Sequence, residues 1–599
     1  MTIPTRIIPT CLLLATQCSA LASVYYVSSS EGNDAWSGES VNQAWQSLDK
    51  VNNQTFGAGD QILFRRGDAW QGMLHLKGSG NAGAPILLSN YGDGPLPLID
   101  GNGYQACILL YNDGFVEIDG FELTNEASHL DEQGIPKKLD SFLGETNDYG
   151  SGKSVRFGVK IVADAQSVAS VGMTRLHIHD IYPTPDNLAN VHLGYGIKFE
   201  TRSDTTTNAF HVVEDVSVTD CFIERTGHYG IWIKSLGIPG VDDVKNDGIR
   251  VADCTFSHTG GSGFVPNKSQ NIVVEHCLFN HSGSGIDQRM WNRGSGMWTF
   301  DCKDAVIQNN RFMNAHGYQD SYAAHIDYGN ENVVIQYNLS SNNEGGFAEV
   351  LGDNVRCGYR YNISVNDGYR VDPEGDPWDR KGKIFWVSTY CGGPVRCPSE
   401  GTFFYNNTVF VGPMLNPEIY VWPESGDVHI HNNLIFMSDD GEILETLLED
   451  DGNEYFVSHN LFYPPGRISL DSDLTVLSSQ EDPAFLNTSN PLPTFELNYQ
   501  IDAQSPAFQA GTLIAGSEDS QDYLNNNGGR DFLGQPVSST NPPSIGAIEG
   551  NLCGTGATWS PELNQCLPSD PGCLFDLDGD GSVSTMDLLS FLSLFQSNC

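Results

Sequence analysis

Apolar runs long enough to cross a bilayer are missing from this 599-residue chain, and helical periodicity is nearly absent from its centre. The apolar stretch near the start, Cys11-Leu12-Leu13-Leu14-Ala15, is too short to span a membrane. With Arg6 before it and Ala20-Leu21-Ala22 after it, residues 1–22 read as a secretory signal. The expectation is an exported, extracellular or cell-surface protein without a membrane partner. Basic residues are scarce too: 31 Lys and Arg stand against 75 Asp and Glu, a net charge of −44. Such a charge argues against nucleic acid as a partner. After residue 400 only Arg467 and Arg530 remain, whereas Arg356, Arg360, Arg370, Arg380, Lys381, Lys383 and Arg396 crowd one stretch. An acidic body with a local basic patch suits an anionic polysaccharide.

What is abundant is repetition. The segments VSVTDCFIERTG, IRVADCTFSHTG, IVVEHCLFNHSG, AVIQNNRFMNAHG, VVIQYNLSSNNEGG and YRYNISVNDG share one plan: a β-branched run, a Cys or Asn, an apolar residue, then a polar turn. Their markers are Cys221, Cys254, Cys277, Asn310, Asn338 and Asn362, and by subtraction these lie 33, 23, 33, 28 and 24 residues apart. Later copies carry Asn407, Asn433 and Asn460. Short strands at this period, split by Gly, Asn and Asp turns, predict an all-β right-handed parallel β-helix over residues 23–550. In such a solenoid, stacked Asn side chains satisfy one another as a ladder, and Cys fills the same slot as a small apolar group. These markers are therefore read as structural.

Four segments align without gaps on the markers: 263–277, 296–310, 324–338 and 348–362. The shared apolar column Val265, Trp298, Ile326 and Val350 predicts an inward position. The alternation of strand side chains then turns the residues before and after that column outward, so His325, Asp327 and Glu349 share one solvent face on two adjacent coils. Glycosidic cleavage needs one protonated and one ionised carboxyl group about 5–9 Å apart. Asp327 and Glu349 on neighbouring coils meet that need, with His325 as an orienting group and Asp301, Asp320 or Glu344 able to replace either acid. Trp232, Lys234, Arg289, Trp291, Arg293, Tyr328 and Arg370 on the same face are the expected substrate contacts, since aromatic faces stack on sugars and Arg forks hold anions. Two other readings stay open: a polysaccharide lyase working by β-elimination on a uronate polymer, and a non-catalytic carbohydrate-binding β-helix.

The opening YYVSSSEGNDAWSG…FGAGDQILFRRGDAWQG and the later YQIDAQSPAFQAG…GAIEG resemble the first and last coils of exported β-helical carbohydrate-active enzymes of the pectate-lyase-like superfamily. The central WTFDCKDAVIQNNRF…HIDYGNENVVIQYNLSSNNEGGFAEVLG is similar to β-helical glycoside hydrolases of the fucosidase and endo-fucanase kind. That resemblance implies hydrolysis of a sulfated, fucan-like polysaccharide and no cofactor for the reaction.

Residues 551–599 differ in kind. Asp576, Asp578, Asp580, Ser582, Ser584 and Asp587 occupy positions 1, 3, 5, 7, 9 and 12 of a calcium loop, with Gly581 at the sharp turn. Asp in place of Glu at position 12 resembles dockerin modules. Cys553, Cys566, Cys573 and Cys599 bracket the loop as expected staples of a small EF-hand-like α module. Its expected role is Ca2+ binding and attachment to a cell surface or scaffold. Cys391 and Cys397 are placed to close a further loop.

Overall fold

The computed structural model describes residues 22–126, 155–183, 193–204, 209–236, 244–371 and 380–550, with short gaps at 439, 450–451, 476, 486–498, 502 and 515–525. Beyond these it describes only 557–560 and 565–568. Residues 1–21 of the expected signal segment and all six calcium-loop ligands lie outside the described residues.

Three long parallel sheets, of 14, 12 and 13 strands, run the length of the solenoid, and the short strand Ala209–Phe210 pairs antiparallel with one strand of the second. Each coil gives one short strand to each sheet in turn, so a residue's neighbours lie one coil away. Among the described residues the α-helix Leu48–Asn52 is the exception to an all-β architecture. No described helix is long and apolar enough to cross a membrane. Inward positions such as Ile249, Ile272, Ala305, Val333 and Tyr359 merge into one continuous core. The β-branched runs seen in the sequence supply that core because alternate side chains point inward from every strand.

The expected ladder is present. The Asn310 amide donates to Asn338 Oδ1 (3.1 Å), Asn338 to Asn362 (3.0 Å), Asn362 to Asn407 (3.0 Å), Asn407 to Asn433 (3.0 Å) and Asn433 to Asn460 (3.0 Å). Each Oδ1 also accepts the backbone N–H of the preceding marker, as Asn362 does from Asn338 (2.9 Å). At the top, Asn310 accepts from the Cys277 backbone, and above it Cys221, Cys254 and Cys277 are buried free thiols. A shorter ladder, Asn330 to Asn354 (3.0 Å), holds the neighbouring bend. Cys391 and Cys397 form the expected disulfide.

One expectation about register fails. In the second sheet Met297 pairs with Ala324, Trp298 with His325 and Thr299 with Ile326, an offset of 27. In the first sheet Lys303 pairs with Glu331, an offset of 28. The coil of His325 thus holds one extra residue at the bend Asp327–Tyr328–Gly329, which gap-free alignment on Asn310 and Asn338 misses. Phe264 and Met297 consequently face the core, whereas Trp298 faces outward, the reverse of the expected column.

Asn362→Leu removes the acceptor of two buried donors on Asn338. It is expected to lower stability by about 1–3 kcal/mol per orphaned donor, read as a lower urea midpoint. An unchanged midpoint contradicts a ladder that carries stability.

Candidate active site

The outer face of the second sheet carries a column set by register alone: Lys198, Trp232 and Val265 on successive coils, then Trp298, His325, Glu349, Trp386 and Tyr420. Ala324, Ile326, Ala348 and Val350 point into the core, so the alternating His325 and Glu349 point out, on neighbouring coils about 4.8 Å apart. They face out but not into water, being 5% and 4% exposed. The Trp298 ring stacks on His325 (5.7 Å between centroids), and Tyr322 stacks on Trp386 (6.1 Å). This aromatic cover explains the electrostatics. Burial pushes His325 down to about 4, leaving the ring neutral, with Nδ1 hydrogen-bonded to Ser295 Oγ (2.8 Å). Burial first, then the charges of Asp320 and Asp327, holds the Glu349 carboxyl well above the usual carboxylate range. The 3.7 Å contact between His325 Nδ1 and Glu349 Oε2 is therefore one between two uncharged groups, and Oε2 has no hydrogen-bond partner among the described residues.

Asp327 sits on the inserted bend just past strand Ala324–Ile326. Its backbone carbonyl is clamped by the amides of Asn330 (2.7 Å) and Asn354 (2.9 Å), so the two-residue ladder fixes its position. Burial raises its carboxyl to about 7; the Tyr328 N–H donated to it (2.9 Å) opposes that rise, and the charge of Asp320 adds to it.

Asp320 lies seven residues earlier, in the loop that leads into the same strand. Arg293 grips it with two hydrogen bonds, Nε to Oδ2 (2.9 Å) and Nη2 to Oδ1 (3.2 Å). Asp320 and Ser321 are the one pair of consecutive non-glycine residues with positive φ among the described residues, at 52° and 70°. Such a backbone costs about 1–3 kcal/mol per residue and persists only where surrounding contacts impose it. Here Arg370 does so, donating from Nη2 to the carbonyls of Gly317 and Asp320 (both 3.0 Å). Glu344 pairs with Arg370 (3.4 Å) and accepts the Gly317 N–H (2.8 Å).

The remaining expected residues divide. Trp232 lies in the column, with the Lys234 ammonium 5.1 Å from its ring centre, and packs with Trp291 and Trp298 around Tyr195, Tyr229 and Val265. Tyr328 is half-buried between Phe300 and Tyr390. Four expected catalytic or contact residues are engaged by other partners. Asp301 is an ion-pair partner of Lys245 (2.5 Å) and Lys268 (3.3 Å), outside the His325–Glu349 column. Glu344 and Arg370 brace a loop. Arg289 is tied to Asp287 and Glu126 and lies over the Tyr182 ring. The basic patch is largely spent in the same way: Arg356 on Glu331, Lys381 and Lys383 on Glu418, Arg396 on Glu424. Ser295, Tyr322 and Trp386 were not anticipated, because each acts from a bend or column that marker spacing does not index.

Residues 195–293 match the family described as a right-handed β-helix region. The solenoid is a right-handed parallel β-helix. Over 88% of its length the chain is 26% identical to a lacto-N-biosidase of Bifidobacterium longum subsp. longum, and it spans 36% of that protein. Among solved structures, a lacto-N-biosidase from Eubacterium ramulus matches at 23% identity, over 72% of this chain and 68% of that one, with a TM-score of 0.47. A pectate lyase matches at 14%, over 89% and 97%, with a TM-score of 0.36. Likenesses at these scores add nothing to the architecture already described.

Asp327 is expected to keep its proton until about pH 7, far above an ordinary aspartate. Infrared titration should show a protonated-carboxyl band that fades through that pH and is absent from Asp327→Asn. Because the folded state holds a proton that the unfolded chain releases near pH 4, this group's stabilisation is full below about 4 and is lost as pH rises to about 7. A band that has vanished by pH 5 contradicts the enclosure of Asp327.

Proposed function

We propose that this chain is a secreted glycoside hydrolase that cleaves a glycan on the outer face of the second sheet, with Asp327 as proton donor and Asp320 as its carboxylate partner. The observation that carries the reading is the inequality of these two acids. One is gripped by a guanidinium and the other is enclosed and protonated up to about pH 7. Unequal environments are what divide two carboxyl groups into acid and base roles. In the reaction Asp327 gives its proton to the departing glycosidic oxygen while positive charge grows on the sugar ring. Asp320 then activates water or attacks the anomeric carbon. Trp298 and Trp386, partly exposed on either side of His325 and Glu349, offer rings for sugar stacking. Glu349, expected from the sequence as a member of the pair, is too enclosed for that task. With His325 it forms a neutral floor that keeps the dielectric low beneath the acids.

The name of the Bifidobacterium relative makes glycans bearing a lacto-N-biose unit the first substrates to test. Sulfated fucan rests on resemblance, and the basic patch that would suit it is largely engaged internally, so it ranks second. Export through residues 1–22 and Ca2+ binding with surface or scaffold attachment through residues 551–599 belong to the same proposal, on their sequence patterns.

The test pairs a reducing-end assay with near-ultraviolet absorbance over both glycan classes. New reducing ends without an unsaturated product are expected; an unsaturated product means elimination and overturns the reading. Asp327→Asn should lower kcat/KM about 10²–10⁴-fold, and an aryl glycoside with a good leaving group should restore much of it. Asp320→Asn should not be restored, and Glu349→Gln should lose less than either. Restoration of the Asp320 variant alone exchanges the two roles, and full activity in both variants removes the pair.

A further inference from the structure

The third sheet carries a second polar cluster, on a different face from Asp320 and Asp327. His177 and His179 stand two apart on strand His177–Tyr182, so both rings leave the same side. Glu122 pairs with His177 from the coil before, and Glu224 pairs with His179 from the coil after. The contacts run diagonally: His179 Nε2 lies 3.1 Å from Glu122 Oε1, and His177 Nε2 lies 3.2 Å from Glu224 Oε1. One ligand atom from each of Glu122, His177 and His179 falls within 4.8 Å of the other two. We propose that these three side chains bind one borderline divalent cation of the zinc type and clip two neighbouring coils together.

Three features support a metal over a plain hydrogen-bond cluster. The first is tautomer control. His179 Nδ1 meets Asp180 Oδ2 at 2.7 Å, and Asp180 is itself fixed by the Arg225 fork (2.8 and 2.9 Å). A ring whose Nδ1–H is given to a carboxylate turns the Nε2 lone pair outward, the arrangement that prepares a histidine as a ligand. The second is charge. Glu122, Asp180 and Glu224 set three carboxylates around the two imidazoles, with Arg225 paired to Asp180 and Glu224. An acidic surround of this kind favours a dication. The third is order. The His177 ring lies flat on Phe222 (5.1 Å between centroids, 5° between planes). Two imidazoles and one carboxylate are a donor set that zinc accepts at about 2.0–2.2 Å. Ligands of one such ion lie about 3.4–3.6 Å apart, so atoms within 4.8 Å of one another close by at most about 1 Å, and the three side chains, all partly exposed, have room to turn.

The experiment uses the full-length protein, stripped with a chelator, dialysed, and titrated with zinc chloride by calorimetry. The wild type is expected to take up one zinc equivalent more than His179→Ala, whatever other sites take up zinc. Thermal unfolding of the wild type should move upward with zinc, and that of the variant should not move with this equivalent. Asp180→Asn, which only orients the ring, should weaken this site about 10–100-fold without abolishing it. If His179→Ala does not fold, Glu122→Gln carries the same comparison. Equal uptake by wild type and variant, or no uptake by the wild type at millimolar zinc, overturns the proposal.

Discussion

Everything in this molecule depends on the stacking of parallel coils at one fixed spacing. A strand of three to seven residues cannot stand alone in water, and each becomes stable only when the next coil covers its backbone. The fixed spacing turns sequence into columns. Core columns are filled by Val, Ile and Phe, and bends are filled by amides that satisfy one another from Asn310 to Asn460. Burying an amide is costly unless it is paired, so the ladder also locks register: a slip at one coil would orphan donors on the coils beside it.

The same stacking produces unusual ionisation. Outward side chains on adjacent coils are held at near contact, and where aromatic rings cover them they lose water as well. His325 and Glu349 are driven to their neutral forms by this enclosure. Asp327 is displaced from the strand by a single inserted residue and keeps an edge towards solvent, with a carboxyl balanced near neutrality. Asp320 approaches from a loop and carries its own guanidinium. The site is thus a graded series, from fully enclosed to fully compensated charge, built on two coils. The proposed proton transfer belongs at the middle of that series, where a proton can be held and released.

Much of this was legible in residue order, and the losses have physical causes. The Asn and Cys markers announce the solenoid because buried amides recur once per coil. His325, Asp327 and Glu349 were placed on adjacent coils for the same reason, and they are there. The error at Trp298 arose because an extra residue at Tyr328–Gly329 shifts one sheet against another, and markers at a single bend cannot sense it. Asp320 lies in a loop, where no column predicts a neighbour, so the repeat offers it only as a substitute for either acid. The basic stretch misled more seriously. Sequence displays charges but not their partners, and Arg370 and Lys383 turn out to serve the fold. An alternation check, asking which of Met297 and Trp298 shares the parity of the core residues, offers a signal for the first error. None offers one for the last.

The central claim is that a glycan lies across the outer face of the second sheet with its scissile bond at Asp320 and Asp327. A crystal structure of the Asp320→Asn variant with an uncleaved oligosaccharide tests it most directly. The account predicts the glycosidic oxygen within hydrogen-bond reach of the Asp327 carboxyl, and a sugar ring stacked on Trp298 or Trp386. A glycan bound on the first or third sheet, with Asp327 untouched, would contradict it.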